Sequence, residues 1–330
     1  MILAGDIGGT NTRLAIFDQQ MRPRVKPMKF PTGNGEQLEA QIARVLKRAG
    51  GQTIDRASLA IAGPVIDGVC RSTNIGRTYV ADDIRRQLKL KSLVLLNDLV
   101  ANASGIERLT RSEIVTILRG ESLAGNRAIV SPGTGLGEGA LIWDGQHHRP
   151  IASEGGHARF APAGELECGL LSYLAERGED GAGMVSFEDV CSGRGLGNIF
   201  DFFIDLGAAA PPSLQKRIAA SDAKDRGGLI ANAAQQQISE AAVLTMNLFI
   251  GILGSECANM ALKFLATGGV YLGGGIPPRI VPLLKTKTFK RAFLTHRTLG
   301  ELLKRIPVRV IMNSDTALEG AALYGLRFGA

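Results

Sequence analysis

The sequence predicts an α/β protein of two related domains that hold one nucleotide between them, and three Gly-rich corners carry that prediction. The first lies in residues 1–18, Met-Ile-Leu-Ala-Gly-Asp-Ile-Gly-Gly-Thr-Asn-Thr-Arg-Leu-Ala-Ile-Phe-Asp, where two apolar runs flank a turn bearing one carboxylate and two hydroxyls. The same grammar returns in residues 127–144, Arg-Ala-Ile-Val-Ser-Pro-Gly-Thr-Gly-Leu-Gly-Glu-Gly-Ala-Leu-Ile-Trp-Asp. An offset of 126 sets Asp144 on Asp18, Ile142 on Ile16, Gly135 on Gly9 and Val130 on Ala4. The third, residues 268–278, stops an apolar strand at three consecutive glycines, Gly273, Gly274 and Gly275, before Pro277 and Pro278 begin something new.

In chain order, residues 2–4 and 14–17 have the length and branching of buried strands. Gly8 and Gly9 between them are read as supplying a positive-φ turn and a close backbone approach, so that N–H groups face a pocket. Asp6 ends the first strand, where it could hold a phosphate-bound Mg²⁺ directly or through water, since Mg²⁺ keeps much of its hydration. Thr10 and Asn11 add donors for phosphate oxygens. Alone, this segment reads equally as an ordinary β-hairpin with a Gly-Gly turn. Apolar spacing at Leu38, Ile42, Val45 and Leu46 predicts a helix over 35–49, followed by a strand over 57–62, a turn at Gly63-Pro64 and a strand pair near Val69. The run 93–96 is a further strand, ending at Asn97-Asp98. A small first domain over 1–108 and a large second domain over 109–314 follow, and within the second the polar stretch 208–228 reads as a loop plus a short exposed helix. Residues 241–254, which include Thr245 and Asn247, are short for a membrane span and read as a buried helix.

Asp98 sits where a strand ends and a helix starts, a position that faces the ligand crevice in open α/β sheets. A carboxylate there can take the proton of a hydroxyl that attacks phosphorus, because the transition state is loose and the proton can move late. It can equally be a helix N-cap. In Ala-Ser-Glu-Gly-Gly-His-Ala-Arg-Phe, residues 152–160, Glu154 and His157 flank two glycines, so a carboxylate and an imidazole can converge on a ligand that bare backbone admits. Glu188 precedes Ser192-Gly193-Arg194-Gly195-Leu196; read alone, it is a surface Glu before a Gly turn.

With 330 residues the chain can bury two cores. Its 42 glycines show no short period, which excludes collagen and low complexity. The net charge of +7 is spread among acids, and four Tyr and one Trp offer little stacking surface, so nucleic acid is not the expected partner. Cys70, Cys168, Cys191 and Cys257 lack framework spacing and read as free thiols of a reducing compartment. No basic leader precedes an apolar core at the N-terminus, and the expected location is the cytoplasm, with no membrane partner.

Together these segments make the chain resemble the bacterial-type glucokinases of the actin, Hsp70 and sugar-kinase superfamily, along essentially its whole length. The resemblance implies a two-domain actin-like (ribonuclease H-like) ATPase fold with the active site in the interdomain cleft. It implies ATP and Mg²⁺ as cofactors and glucose as the sugar, in the first step of glycolysis. Residues 6–10 look like the first phosphate element, and Gly133, Thr134 and Gly135, within 133–137, like the second. Gly273 to Gly275 look like the adenosine loop, and residues 318–322, Leu-Glu-Gly-Ala-Ala, resemble the small-residue helix that crosses between domains, so a last helix over 315–327 is expected to return to the first domain.

By the same resemblance Asn97 and Asp98 bind the sugar, with Asp98 as base; Glu154, His157 and Glu188 accept from sugar hydroxyls; and Thr73 and Asn74 match a segment near the sugar. A site rich in carboxylates suits a neutral polyhydroxy ring. Glu154 and His157 are too few for a structural zinc, and the Cys-rich loop that follows a similar Glu-Gly-Gly-His in the ROK family is absent. Two alternatives stay open: a kinase for mannose or an N-acetylhexosamine, and a non-catalytic sugar-sensing regulator of the same fold. No helix-turn-helix precedes Ile2 and Asp98 is retained, which argues against the regulator. A homodimer also stays open.

Overall fold

The computed structural model describes residues 1–32, 37–50, 53–72, 76–121, 123–178 and 183–329. Thr73 and Asn74, and the start of the helix expected over 35–49, lie outside the described residues. The chain opens with the antiparallel strands β1 (Ile2–Ile7), β2 (Asn11–Phe17) and β3 (Pro23–Pro31). Then come α1 (Leu38–Arg48), β4 (Arg56–Ile61), β5 (Val65–Ile66), β6 (Val69–Ser72), β7 (Arg77–Val80), α2 (Ala81–Gln87), β8 (Ser92–Asn97) and α3 (Asp98–Gly105). After β9 (Ile114–Leu118), the second hairpin is β10 (Arg127–Pro132) and β11 (Leu136–Trp143), followed by β12 (His148–Ile151). The helices α4 (Glu165–Glu176), α5 (Gly193–Asp205), α6 (Pro212–Ala219), α7 (Ala223–Gln235) and α8 (Glu240–Lys263) lead to β13 (Gly269–Leu272). The chain closes with α9 (Val281–Leu284), α10 (Lys287–Leu294), α11 (Gly300–Arg305), β14 (Val308–Ile311) and α12 (Thr316–Phe328).

These elements form two compact units: Met1–Glu113 with Asp144–Ala152 and Asn313–Ala330, and Ile114–Trp143 with Ser153–Met312. In the first, the sheet runs β3-β2-β1-β4-β8, with β1, β4 and β8 parallel. Alternation along β1 decides which core each side chain joins. Leu3 and Ile7 pack with Ile42 and Val45 of α1, whereas Ile2 and Ala4 pack with Val100 and Ala101 of α3 and with Leu318 and Ala322 of α12. Each Val, Leu or Ile side chain so buried contributes ~1.5–3 kcal/mol. The small residues of α12 allow contact between backbones: a Cβ at Gly320 would collide with the Ala101 carbonyl. The strand pair expected near Val69 is a three-stranded sheet, β5-β6-β7.

Asp144–Ala152 belongs with the first unit, although the expected boundaries leave it in the large domain. The reason is a polar cluster around the half-buried Glu107: it accepts from the backbone N–H of the buried His148 at 3.2 Å, meets the His148 ring Nδ1 at 3.2 Å and takes a 2.5 Å bond from the exposed Arg327. Arg327, and with it His148, holds the Glu107 carboxyl below its ordinary range against the opposing effect of burial.

The second unit orders its strands β11-β10-β13-β14-β9, with β10, β13 and β14 parallel and β9 antiparallel. Its centre is α8, largely apolar around its circumference. By length and composition α8 could cross a membrane, but Phe249, Leu253, Cys257 and Ala261 have no exposed surface, and it packs against α5, α7 and α10 and against β10 and β13 of the sheet. The stretch 208–228 contains α6 and the start of α7 rather than one short helix; Pro212 at the start of α6 has the fixed φ that suits a first helical position.

The two hairpins share topology but differ in register. Ile2 faces Phe17, whereas Ala128, at the 126 offset, faces Ala140 rather than Trp143. Four residues, 8–11, turn the first hairpin between its last pair, and three, 133–135, turn the second. Turn length sets strand register, and the offset read from sequence does not.

Candidate active site

In the first unit, Asp6 is level with Ala60 and Ala60 with Leu96. Asp6 and the Asn97-Asp98 pair therefore leave the sheet on the same C-terminal edge, where open α/β sheets take their ligands. The turn after Asp6 is closed by the Gly8 N–H donating to the Asn11 carbonyl at 3.0 Å, with Gly9 and Thr10 exposed and Asn11 half-buried. Neither Gly8 nor Gly9 has positive φ, contrary to expectation; at Gly8 the missing side chain gives clearance instead, since a Cβ would lie 3.3 Å from the Asn11 carbonyl. Burial pushes the Asp6 carboxyl up, Arg13 at 3.7 Å pulls it back, and Asp315 adds to the rise. Arg13 also reaches Asp315 at 3.8 Å and donates to the Ser314 carbonyl at 2.5 Å. Asp6 and Asp315 are hard oxygen donors, a supply that fits a magnesium ion keeping most of its water.

The cap of α3 is Asn97, not Asp98. Asn97 Oδ1 accepts from the N–H groups of Leu99 at 2.8 Å and Val100 at 3.4 Å, while Nδ2 donates to the Gly63 carbonyl at 3.1 Å. Asp98 is thereby the first residue of α3, half-buried, with Oδ1 accepting from Leu99 N–H at 3.1 Å.

In the second unit, four expected segments meet. The Gly133 N–H donates to the Gly135 carbonyl at 2.8 Å, and the Gly133 carbonyl accepts from Gly193 N–H at 2.8 Å, leaving Thr134 exposed at the tip. Glu188 Oε2 accepts from Leu136 N–H at 2.9 Å and Oε1 from Arg194 at 3.1 Å. A Cβ at Gly135 would strike the Glu188 carboxylate, so a larger residue there would push Glu188 off its bond to Leu136. Glu188 N–H in turn donates to the Gly156 carbonyl at 2.8 Å, and Phe187 N–H to Ala158 at 3.0 Å, which tie the 154–157 loop to the same place. That loop is a single 3₁₀ turn, closed by His157 N–H donating to Glu154 at 3.0 Å, with both Glu154 and His157 exposed. The glycines after β13 close on the other side: Gly273 N–H donates to Val130 at 3.0 Å and Ile276 N–H to Pro132 at 3.2 Å. Gly274 has φ +77°, and a Cβ there would collide with the Pro132 carbonyl, so the positive-φ glycine of this region is in the third corner.

Sequence reasoning singled out neither Arg13, which restrains Asp6, nor Arg194, which holds Glu188 and also reaches Asp189 at 2.9 Å. It also passed over Glu138, an acidic residue on the apolar strand β11, where it has 1% of its surface exposed. The visible signal was a carboxylate between glycines in the sequence Gly137-Glu138-Gly139-Ala140-Leu141.

The sequence model of the glucokinase family matches residues 3–327. A glucokinase from Trichormus variabilis is 34% identical over 341 aligned positions, covering 99% of each chain, and one from Caulobacter vibrioides is 34% identical, covering 97% of this chain and 94% of that one. Among solved structures, a glucokinase from an Antarctic psychrotroph superposes with a TM-score of 0.83 at 29% identity, covering 98% of this chain and 97% of that one. A ROK family glucokinase from Streptomyces griseus, in complex with glucose and AMPPNP, shares the fold at a TM-score of 0.65 and 23% identity, over 97% of each chain.

Proposed function

Because the chain belongs to the glucokinase family, we propose that it transfers the γ-phosphoryl group of ATP to the 6-hydroxyl of D-glucose, giving glucose 6-phosphate. The observation that carries this reading is Glu188, which joins a phosphate turn to the sugar loop: its carboxylate accepts from Leu136 N–H while its own N–H donates to Gly156. Glu154, His157 and Glu188 take hydroxyls of the ring, the carboxylates through charge-assisted bonds, and Asn97 adds its amide. Asp98 accepts the proton of the attacking hydroxyl. The late movement of the proton makes a carboxylate, though a weak base, sufficient there.

Backbone N–H groups of Gly9, Thr10 and Asn11 and of Thr134 and Gly135 hold phosphate oxygens, as successive amides in a turn do, while Gly8 and Gly133 shape the two turns by giving their own N–H groups to the Asn11 and Gly135 carbonyls. Gly273, Gly274 and Gly275 leave room for the adenosine. Asp6 would hold Mg²⁺, through water; the ion would neutralise charge on the phosphates. A hexose panel with Mg·ATP, read by ADP release, tests the reading. Glucose is the expected best substrate, and turnover of N-acetylglucosamine or N-acetylmannosamine well above that of glucose would replace it.

A further inference from the structure

One buried titratable group has no part in the roles above. Glu138 lies on β11, two positions past Leu136, and neither of its carboxyl oxygens has a hydrogen-bond donor at ordinary distance. Its acidic neighbour is Glu256 of α8, which has no exposed surface and is held by Asn259 at 2.8 Å and Lys263 at 3.4 Å. Two fully covered thiols lie within electrostatic reach, Cys257 from α8 and Cys191 from the turn before α5, both raised by burial and by the two acids. Val130, the strand partner of Glu138 on β10, is apolar. On the remaining side is Gly155: a Cβ there would collide with Glu138 Oε2 and lie 3.0 Å from Ser153 Oγ.

We propose that Glu138 is a positioning residue for the sugar, its buried carboxyl forming the floor on which residues 154–157 rest, so that it sets Glu154 and His157 against the hexose. This inference rests on the glucose reading of that loop.

Two adjacent carboxyls in a dry site cannot both ionise without severe repulsion. Burial raises both carboxyls, but Asn259 and Lys263 bond Glu256 directly, so Glu138 keeps the proton, and burial together with Glu256, against the pull of Lys263, pushes its pKa up to about 8. Neutral, it can donate to Glu256 and lie against the Gly155 backbone. When the proton leaves to solvent, an acceptor-only carboxylate faces a second carboxylate beneath a loop whose Gly156 carbonyl already points inward to Glu188. Water must then enter, and the loop lifts.

The half-saturation concentrations for glucose and for ATP, measured from about pH 6.5 to about pH 9.5, test this in the wild type, Glu138→Gln and Glu256→Gln. In the wild type the glucose value should rise up to about tenfold per pH unit above the ionisation while the ATP value stays level. Glu138→Gln keeps the shape and cannot ionise, so its glucose value should stay flat. Glu256→Gln removes the like charge, so the rise should move to lower pH. The same alkaline rise in Glu138→Gln, or glucose and ATP values that move together, would overturn the proposal.

Amide exchange of the wild type gives an arm that needs neither a variant nor turnover. Protection of residues 153–158, corrected for intrinsic rates, should fall above about pH 8 while β10 and β11 stay protected. Unchanged protection with normal glucose turnover overturns the positioning role alone, whereas absence of glucose turnover at every pH overturns the functional reading and this role with it.

Discussion

Asp98→Asn separates a catalytic base from a structural aspartate, because the structure assigns the helix cap to its neighbour. Asn97 supplies the capping oxygen to Leu99 and Val100, so the substitution leaves those bonds in place and removes only a negative charge in the first turn of α3. Such a charge is worth ~0.3–1 kcal/mol through the helix dipole, and the melting temperature should fall by only a few degrees. A positioned base contributes ~10²–10⁴ to the rate, about 2.7–5.4 kcal/mol of barrier, several times the stability term. Steady-state ADP release with saturating glucose and Mg·ATP, run beside a thermal melt, reads both quantities. The expected result is a turnover loss of at least about a hundredfold with a nearly native melt and a glucose half-saturation that changes less. Turnover above about a tenth of wild type would show that Asp98 does not act as base.

Glu188→Gln can satisfy Leu136 N–H or Arg194 but not both with its single carbonyl oxygen, and it loses a charge-assisted bond to the sugar. Glucose half-saturation should rise roughly ten- to hundredfold, with a smaller change in turnover, as initial-rate kinetics will report. Asn97→Ala should lower stability by about 1 kcal/mol, measured by urea unfolding, because the cap bonds go with the side chain. Gly274→Ala forces a Cβ onto the Pro132 carbonyl at positive φ; a loss of ~1–3 kcal/mol and a raised ATP half-saturation are expected, and a native melt would contradict the local geometry. Glu138 titrates near 4.5 when unfolded and at about 8 when folded, so folding binds a proton between those values. The stability of wild type relative to Glu138→Gln should therefore be greatest below about pH 4.5, fall with rising pH by up to about 1.4 kcal/mol per unit, and level off above about pH 8.

The three glycine corners are legible in the sequence because each follows a run of branched apolar residues, and a strand that stops at glycine leaves few other readings. Their internal geometry is less legible. Positive φ belongs to Gly274 and to neither Gly8 nor Gly9, and the first turn reverses through four residues. Asn97 and Asp98 are both good caps by composition, and only the extended backbone at Asn97, φ −63° and ψ 143°, decides between them. The place of Asp144–Ala152 depends on His148 meeting Glu107 and on Arg327, partners separated by 41 and 220 positions from Glu107, which no local pattern reports. The bound of α6 was within reach, since Pro211-Pro212 marks a helix start inside a polar stretch. Glu138 and Glu256 interrupt apolar elements on which an isolated charge is costly, but only packing shows that they meet.

The most direct measurement is product formation by the purified chain with Mg·ATP and D-glucose, following ADP in one channel and oxidation of the product by glucose-6-phosphate dehydrogenase in the other. The account predicts equal amounts of ADP and glucose 6-phosphate, both dependent on glucose. ADP release that is independent of glucose, or that yields no glucose 6-phosphate, would contradict it.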